Sequence, residues 1–255
     1  RLCRDWSSDV CSSDLAEIQQ VDEVYDPERL SALEIQKQQL LLLVHSGSRG
    51  LGEKILRRQI DQFSHHGLPE ETEEAKAYLA EHETALRFAK ANRRLIALRM
   101  LEQLRAEGES VLDMHHNLLE SIEINGKLGW LHRKGASPSN AGPLVIPGSR
   151  GDYSFLVQPN PDVDSLYSVA HGAGRKWMRS ECKERLSSRY RVEQLSKTPL
   201  GNRVICGDKS LMFEEAPEAY KRIDTVIEPL LQAGLVRLIA RLKPVLTYKT
   251  SRNQA

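Results

Sequence analysis

Two early stretches have strand length and strand pattern, Ala16 to Tyr25 and Gln39 to Val44. The second carries Leu and Val without polar interruption, as a strand buried on both faces does. Gly47, Gly50 and Gly52 then punctuate the loop HSGSRGLG. A helical period runs from about Glu53 to Ser64 and stops at Gly67 and Pro69. From about Glu70 to Arg105, Leu79, Leu86, Ala89, Ile96, Met100 and Leu104 recur near one helical face. That stretch is longer than an ordinary helix, so a kink is expected to divide it. Val111 to Met114 reads as a short strand leading into His115 and His116. Between Gly126 and Gly151, short apolar runs alternate with Gly and Pro, as in sheets that carry site loops. Ser154 to Val157 has strand character, and Gly174 to Leu186 reads as a helix opening on a glycine loop. Pro217 to Ala233 reads as a helix with Pro in its first turn and Gly234 at its stop. Leu235 to Leu242 and Val245 to Lys249 close the pattern, the latter again strand-like. No repeat or linker interrupts the chain after residue 15. These elements predict a single α+β domain over residues 16–255, with sheets inside, helices flanking them, and the site in loops at strand ends.

Composition narrows the classes. At 255 residues, 40% hydrophobic and 28% charged, the chain can bury a sizeable core and is not a disordered tail. No apolar run approaches the roughly 20 residues of a membrane helix, so no membrane association is expected. The formal charge of +1 supplies no global field for nucleic acid, so any attraction for phosphate must be local.

The first fifteen residues stand apart. Asp5 to Leu15 reads DWSSDVCSSDL, a near-tandem Ser-Ser-Asp run without helical or strand period. It resembles the translation of a common short-read sequencing adapter, and residues 1–15 are expected to be a non-native leader. Setting them aside leaves Cys182 and Cys206 of the four cysteines. Two distant cysteines fit a reducing, cytoplasmic setting and provide no internal zinc site.

Candidate chemistry lies in three histidine-bearing loops: His45 in VHSGSRGLG, His115 and His116 in DMHHNLLE, and His171 in AHGAGRKW. Imidazole is a common metal ligand and can act as a nucleophile. Gly47 and Gly50, Gly148 and Gly151, and Gly172 and Gly174 let the backbone approach a ligand and aim N–H groups at an anion. Arg49, Arg150 and Arg175 sit in or beside these loops, as phosphate-reading guanidinium groups would. Neither a P-loop nor a dinucleotide fingerprint is present. Residue chemistry alone therefore reaches a metal-assisted phosphate site.

The strings HSGSRGLG, HHN, HRKGA, IPGSRG, HGAGR and EEAPEAYK occur in an order that resembles the RtcB-type RNA-splicing ligases. The resemblance runs from Ala16 to about Lys249. It implies an enzyme that joins an RNA 3′-phosphate or 2′,3′-cyclic phosphate to a 5′-hydroxyl, using GTP and two manganese ions through a histidine–GMP intermediate. On that resemblance His171, in HGAGR, is the nucleophile. His45 and His116 match manganese ligands, His115 being adjacent to the second. Asn117 would contact nucleotide phosphate. Ser149, Gly151 and Ser154 match the nucleotide-binding loop, and Ala173 and Gly174 line GMP. Tyr220 would pack near guanine, and Lys249 falls where the family places a base-reading lysine. The implied partners are RNA ends, from tRNA halves or cleaved ribosomal RNA, together with an activating protein.

The departures are specific. The family's Asp and Cys metal ligands, and a third histidine in an Asn-His-Phe stretch, lie upstream of Ala16. Cys182 and Cys206 fall outside the metal motif, Arg150 stands where many relatives carry Met, and the stretch between HRKGA and IPGS is short. These features resemble a divergent branch, the one associated with a release-factor-like protein and ribosomal RNA repair. The fragment is expected to bind little manganese and to be inactive alone. Two other functions compete: a metal-dependent phosphohydrolase or cyclic phosphodiesterase on RNA ends, and a non-catalytic RNA-binding module.

Overall fold

A computed structural model describes residues 15–64, 66–124 and 126–249. Most of the proposed leader lies outside these residues. Leu15, assigned to the leader from sequence, is the first residue of strand β1 (Leu15–Val24).

The chain continues through helix α1 (Pro27–Ala32), strand β2 (Leu40–His45), and helices α2 (Gly50–Phe63) and α3 (Glu73–Leu104). Strands β3 (Asn117–Ile124), β4 (Lys127–Lys134), β5 (Ala136–Pro138), β6 (Leu144–Pro147), β7 (Ser154–Pro159) and β8 (Ser168–Ala170) follow. Helix α4 (Arg179–Ser187), strand β9 (Arg203–Cys206), helices α5 (Lys209–Glu214) and α6 (Asp224–Gln232), and strand β10 (Val236–Lys249) complete it. This is an α+β chain. Where the sequence predicts one domain, its contacts group into two compact units.

One unit comprises Val44–Gly108 and Asn117–Lys134 among the described residues. Here α3 is a single helix of 32 residues, without the expected division. It contains neither Gly nor Pro, and Thr72 caps its start by accepting from the Ala75 amide at 3.2 Å. Strands β3 and β4 form a hairpin, docked to α3 where the Leu119 amide donates to His82 Nε2 at 2.9 Å.

The other unit comprises Leu15–Leu43, Glu109–His116 and the chain from Gly135 on. Its centre is β10, antiparallel to β1 on one side and to β7 on the other. The full strand order is β2-β1-β10-β7-β6, with β9 pairing in parallel to the last residues of β10. The two closing strands expected from sequence are one. Pro244 cannot donate to the ladder, but the register steps from Ile18–Leu246 to Gln19–Pro244, and this bulge accommodates it. Strand β2 is not the buried strand its composition suggests: it is an edge strand, and Leu40 is 64% exposed. Val111–Met114 forms no strand either. Its apolar side chains Leu112 and Met114 pack onto the cores instead.

Alternate residues of the sheet serve different cores. Phe155 and Val157 of β7 pack with Val236 and with Ile223 and Ile227 at α6. Leu156, between them, packs with Val21, Leu30 of α1 and Leu242. Both faces of the sheet are thus covered, which fixes the register of β7 against β10. A third cluster joins Leu186 of α4, Met212 and Phe213 of α5, and Val204 of β9.

Candidate functional site

His171 follows β8 and is held by backbone geometry. Its Nδ1 lies 2.6 Å from the carbonyl oxygen of Gly135. A carbonyl can only accept, so Nδ1 carries the proton and, in the neutral ring, Nε2 carries the lone pair. The His171 ring stacks on His116 with centroids 4.6 Å apart. Gly135 controls both contacts, because its own amide donates to the His116 carbonyl at 2.9 Å. Its φ is +69°, and a Cβ built there would stand 3.2 Å from His171 Cε1 and 3.3 Å from Nδ1. Of the adjacent pair His115 and His116, it is the second that meets His171.

The loop after His171 is pinned from both sides. Ala173 donates from its amide to Pro147 O at 2.9 Å, joining HGAGR to IPGSRG. Gly172 must lack a side chain here, since its Cβ would lie 2.9 Å from the same carbonyl. On the other side Lys221 N donates to Gly174 O at 2.9 Å and Lys176 N to Ala219 O at 2.7 Å, joining HGAGR to EEAPEAYK. These pairings explain two differences from the sequence reading. Helix α4 begins only at Arg179, and the expected helix from Pro217 to Ala233 is a short 3-10 turn at Pro217–Ala219, then an extended Tyr220, then α6. Residues 174–176 and 219–221 use their backbone groups on each other, so neither can continue a helix.

The residues of IPGSRG and the strand start that follows it are compactly packed. Gly151 abuts Pro217, whose Cγ would be 2.5 Å from a Cβ at that position. Ser149 is buried, and its carbonyl accepts from the Asp152 amide at 2.9 Å. Ser154 opens β7, with its hydroxyl accepting from Gln19 Nε2 at 2.9 Å. Arg150 is corrected from a phosphate-facing residue. Its guanidinium is buried and donates to Met212 O at 2.9 Å and toward Leu195 O at 3.5 Å, fastening the loop to α5.

Tyr220 and Lys249 meet at Glu215, a residue the sequence reading did not single out. Lys249, at the end of β10 and 4% exposed, donates to Glu215 Oε2 at 3.1 Å. The Tyr220 hydroxyl donates to the same oxygen at 2.5 Å. Arg175 Nη1 and Arg179 Nε approach Oε1 at 3.1 and 3.3 Å. Burial alone would raise the Glu215 carboxyl, but Lys249, Tyr220, Arg175 and Arg179 outweigh it and hold it at about 2. Burial lowers the Lys249 ammonium against the opposing pull of Glu215. Burial, and next Glu215, raise Tyr220.

Beside this cluster lies a second buried network. Thr247 donates to Glu17 Oε2 at 2.5 Å, Gln19 to Glu17 Oε1 at 2.7 Å, and Asn202 Nδ2 to Thr247 Oγ1 at 2.9 Å. Burial pushes Glu17 up from 4.5 to about 7, with the Thr247 and Gln19 bonds and Lys249 opposing it. The folded chain therefore keeps this carboxyl protonated between about 4.5 and 7, where the unfolded chain ionises it. Its stabilising contribution is full at the acid end and is lost as pH rises through 7. Relative to Glu17→Gln, which cannot titrate, the native chain should lose on the order of 3 kcal/mol between pH 4.5 and 8 in urea unfolding. A pH-independent difference would show the carboxyl to be ionised throughout.

In the first unit, α3 holds the loop that follows His45. Asn92 Nδ2 donates to Ser46 Oγ at 2.7 Å and to Gly47 O at 3.2 Å, and Arg93 donates to Ser46 O at 3.2 Å. Asn117 opens β3 opposite Lys134, at a strand end. Among the described residues no group of three or more His, Cys, Asp or Glu side chains is placed to hold a metal ion. Cys182 is buried under Arg175, whose Nη2 lies 3.3 Å from its sulfur. No helix among the described residues is long and apolar enough to cross a membrane.

The sequence profile of the tRNA-splicing ligase RtcB family matches residues 15–250. RNA-splicing ligase RtcB2 of Escherichia coli is 55% identical over 235 residues, covering 92% of this chain and 62% of that protein. The tRNA-splicing ligases RtcB of Nanoarchaeum equitans and Pyrococcus horikoshii are 34% and 30% identical, over 91% and 90% of this chain and 57% and 31% of theirs. The chain therefore spans less than two thirds of the length of these relatives. Leu15, which the sequence reading places in the leader, falls inside the family match as it falls inside β1. The chain belongs to the RtcB family of RNA-splicing ligases.

Proposed function

We propose that the full-length protein is a GTP- and manganese-dependent RNA ligase that joins a 3′-phosphate or 2′,3′-cyclic phosphate to a 5′-hydroxyl, with His171 as the guanylate carrier. The observation that supports this best is the Gly135 carbonyl on His171 Nδ1, which makes Nε2 the nucleophilic nitrogen. Attack of that nitrogen on the α-phosphorus of GTP forms an N–P bond as pyrophosphate leaves. The Nδ1–H···O=C bond stabilises the positive ring that results, because an imidazolium donates more strongly than an imidazole. Transfer of GMP to the RNA 3′-phosphate restores the neutral ring. The 5′-hydroxyl then displaces GMP and closes the phosphodiester.

Ala173 and Gly174, pinned to Pro147 and Lys221, form the wall along GMP, with Ser149 and Gly151 on the adjoining loop and Ser154 at the start of β7; Asn117 is the residue assigned to nucleotide phosphate. Lys249 and Tyr220 make the base end. A buried lysine donor suits a 6-oxo purine over a 6-amino one, since a donor facing an amine leaves both unsatisfied. His45 and His116 would each supply one imidazole to manganese, whose chemistry is to neutralise charge on the triphosphate. The substrates are RNA ends such as tRNA halves or cleaved ribosomal RNA, with an activating protein as a further partner.

The test is joining of a labelled RNA bearing a 3′-phosphate to a 5′-hydroxyl strand. The full-length protein should join them only when both GTP and manganese are supplied. Turnover of the 2′,3′-cyclic phosphate without GTP would instead favour the phosphodiesterase. RNA affinity that needs no metal and survives His171→Ala, without joining, would favour the binding module.

A further inference from the structure

We infer that Glu215 is a positioning residue that sets the purine preference of the site, an inference that rests on the guanylate reading above. Its two carboxylate oxygens divide the work. Oε1 receives Arg175 and Arg179, which anchor the carboxylate to the loop after His171 and to the first residue of α4. Oε2 receives Lys249 and Tyr220, the two residues assigned to the base. The carboxylate thus orients the base-reading pair from a scaffold continuous with the nucleophile's own loop.

The chemistry requires such a residue. Lys249 is 4% exposed, and a buried ammonium without a counter-charge would shed its proton or turn away. Glu215 favours the charged form against burial, and its 3.1 Å bond to Lys249 Nζ occupies one of the three N–H donors, which fixes the direction of the other two. The Tyr220 hydroxyl is equally committed, donating to Glu215 and accepting from Arg175 Nη1 at 2.8 Å. The Arg175 guanidinium also lies 4.8 Å from the centre of the Tyr220 ring, so ring and hydroxyl are both held in place. Tyr220 can then offer a base only its ring surface, and Lys249 supplies the hydrogen bond that separates guanine from adenine. Arg150 and Cys206 also act on Lys249 at this end of the site, and Lys249 in turn acts on Glu17. Arg150 makes no direct ion pair with the Glu215 carboxylate among the described residues.

The test compares labelling of full-length protein by radioactive GTP and ATP, with manganese, in native protein and in Glu215→Gln, Lys249→Met and the double variant. Glu215→Gln should raise KM for GTP at least about tenfold while changing the saturating rate about twofold or less, as loss of binding remote from the reacting phosphorus does. The GTP-over-ATP preference should fall by the same order as in Lys249→Met, and the double variant should fall no further than either single one. Should Glu215→Gln not fold, Arg179→Met, which loosens only the Oε1 side, should move the preference the same way by a smaller factor. A variant that melts earlier but keeps the native preference would overturn the inference and leave the ligase reading intact, as would independent, multiplicative effects of Glu215 and Lys249. Native protein that takes up no GMP would overturn both.

Discussion

His171→Ala in the full-length protein abolishes covalent capture of GMP, with the fold unchanged. The side chain lies in a loop, half-buried, and outside all three apolar cores. Its removal costs the Nδ1 bond to Gly135 and the stack on His116, which are local contacts. Joining of 3′-phosphate RNA should fall with the adduct, while circular dichroism and the unfolding midpoint stay close to native. An adduct retained by His171→Ala would move the nucleophile elsewhere.

Gly135→Ala should be strongly damaging through the His171 ring it abuts. The methyl group would stand 3.2–3.3 Å from the His171 ring, tighter than ordinary contact, and the φ of +69° is strained for any residue with a Cβ. The backbone cost is about 1–2 kcal/mol. The larger effect is on geometry. To relieve the contact the ring must shift, and Nδ1 then leaves the carbonyl that defines its tautomer. Misplacement by about 1 Å of a reacting group can cost about 100-fold in rate, so initial guanylylation should slow by that order. The KM for GTP should move little, because Lys249, Tyr220 and Glu215 are untouched. Slowing that tracked loss of thermal stability alone, disappearing at low temperature, would reduce Gly135 to a structural glycine.

The histidine and glycine loops were legible in the sequence because chemistry of that kind is written in residue type: imidazoles beside glycines and arginines, in a recognisable order. Their assembly was not. Gly135, His116 and His171 meet through backbone bonds that have no sequence period, and HRKGA reads locally as an ordinary turn. The misread helices share a cause. Residues 174–176 and 219–221 have acceptable helical composition, and only their pairing with each other makes them extended. Tertiary hydrogen bonding overrode local propensity at the point where the site is built.

Strand β2 was misread for the opposite reason. Its unbroken Leu and Val pattern is the same for a central strand and for an edge strand of this sheet, and position in the sheet is not a local property. The stretches Leu235–Leu242 and Val245–Lys249 are one strand because a bulge retains Pro244, and that bulge depends on the partner strand. Arg150 and Glu215 illustrate the limit for charged residues. Arg150, in a glycine loop, suggested phosphate, yet it fastens that loop to backbone carbonyls of the interior. Glu215 stands in the acidic pair that opens EEAPEAYK, and nothing in that pattern shows that one carboxylate gathers four partners from α4, β10 and two loops.

The central claim is that His171 Nε2 becomes bonded to the phosphorus of GMP. It is tested most directly by incubating the full-length protein with GTP and manganese, digesting it under alkaline conditions, and locating the GMP mass by fragmentation of the peptides. The account predicts one acid-labile GMP, on the peptide containing His171 and on no other. GMP on a different residue, or protein that joins RNA ends without ever carrying GMP, would contradict it.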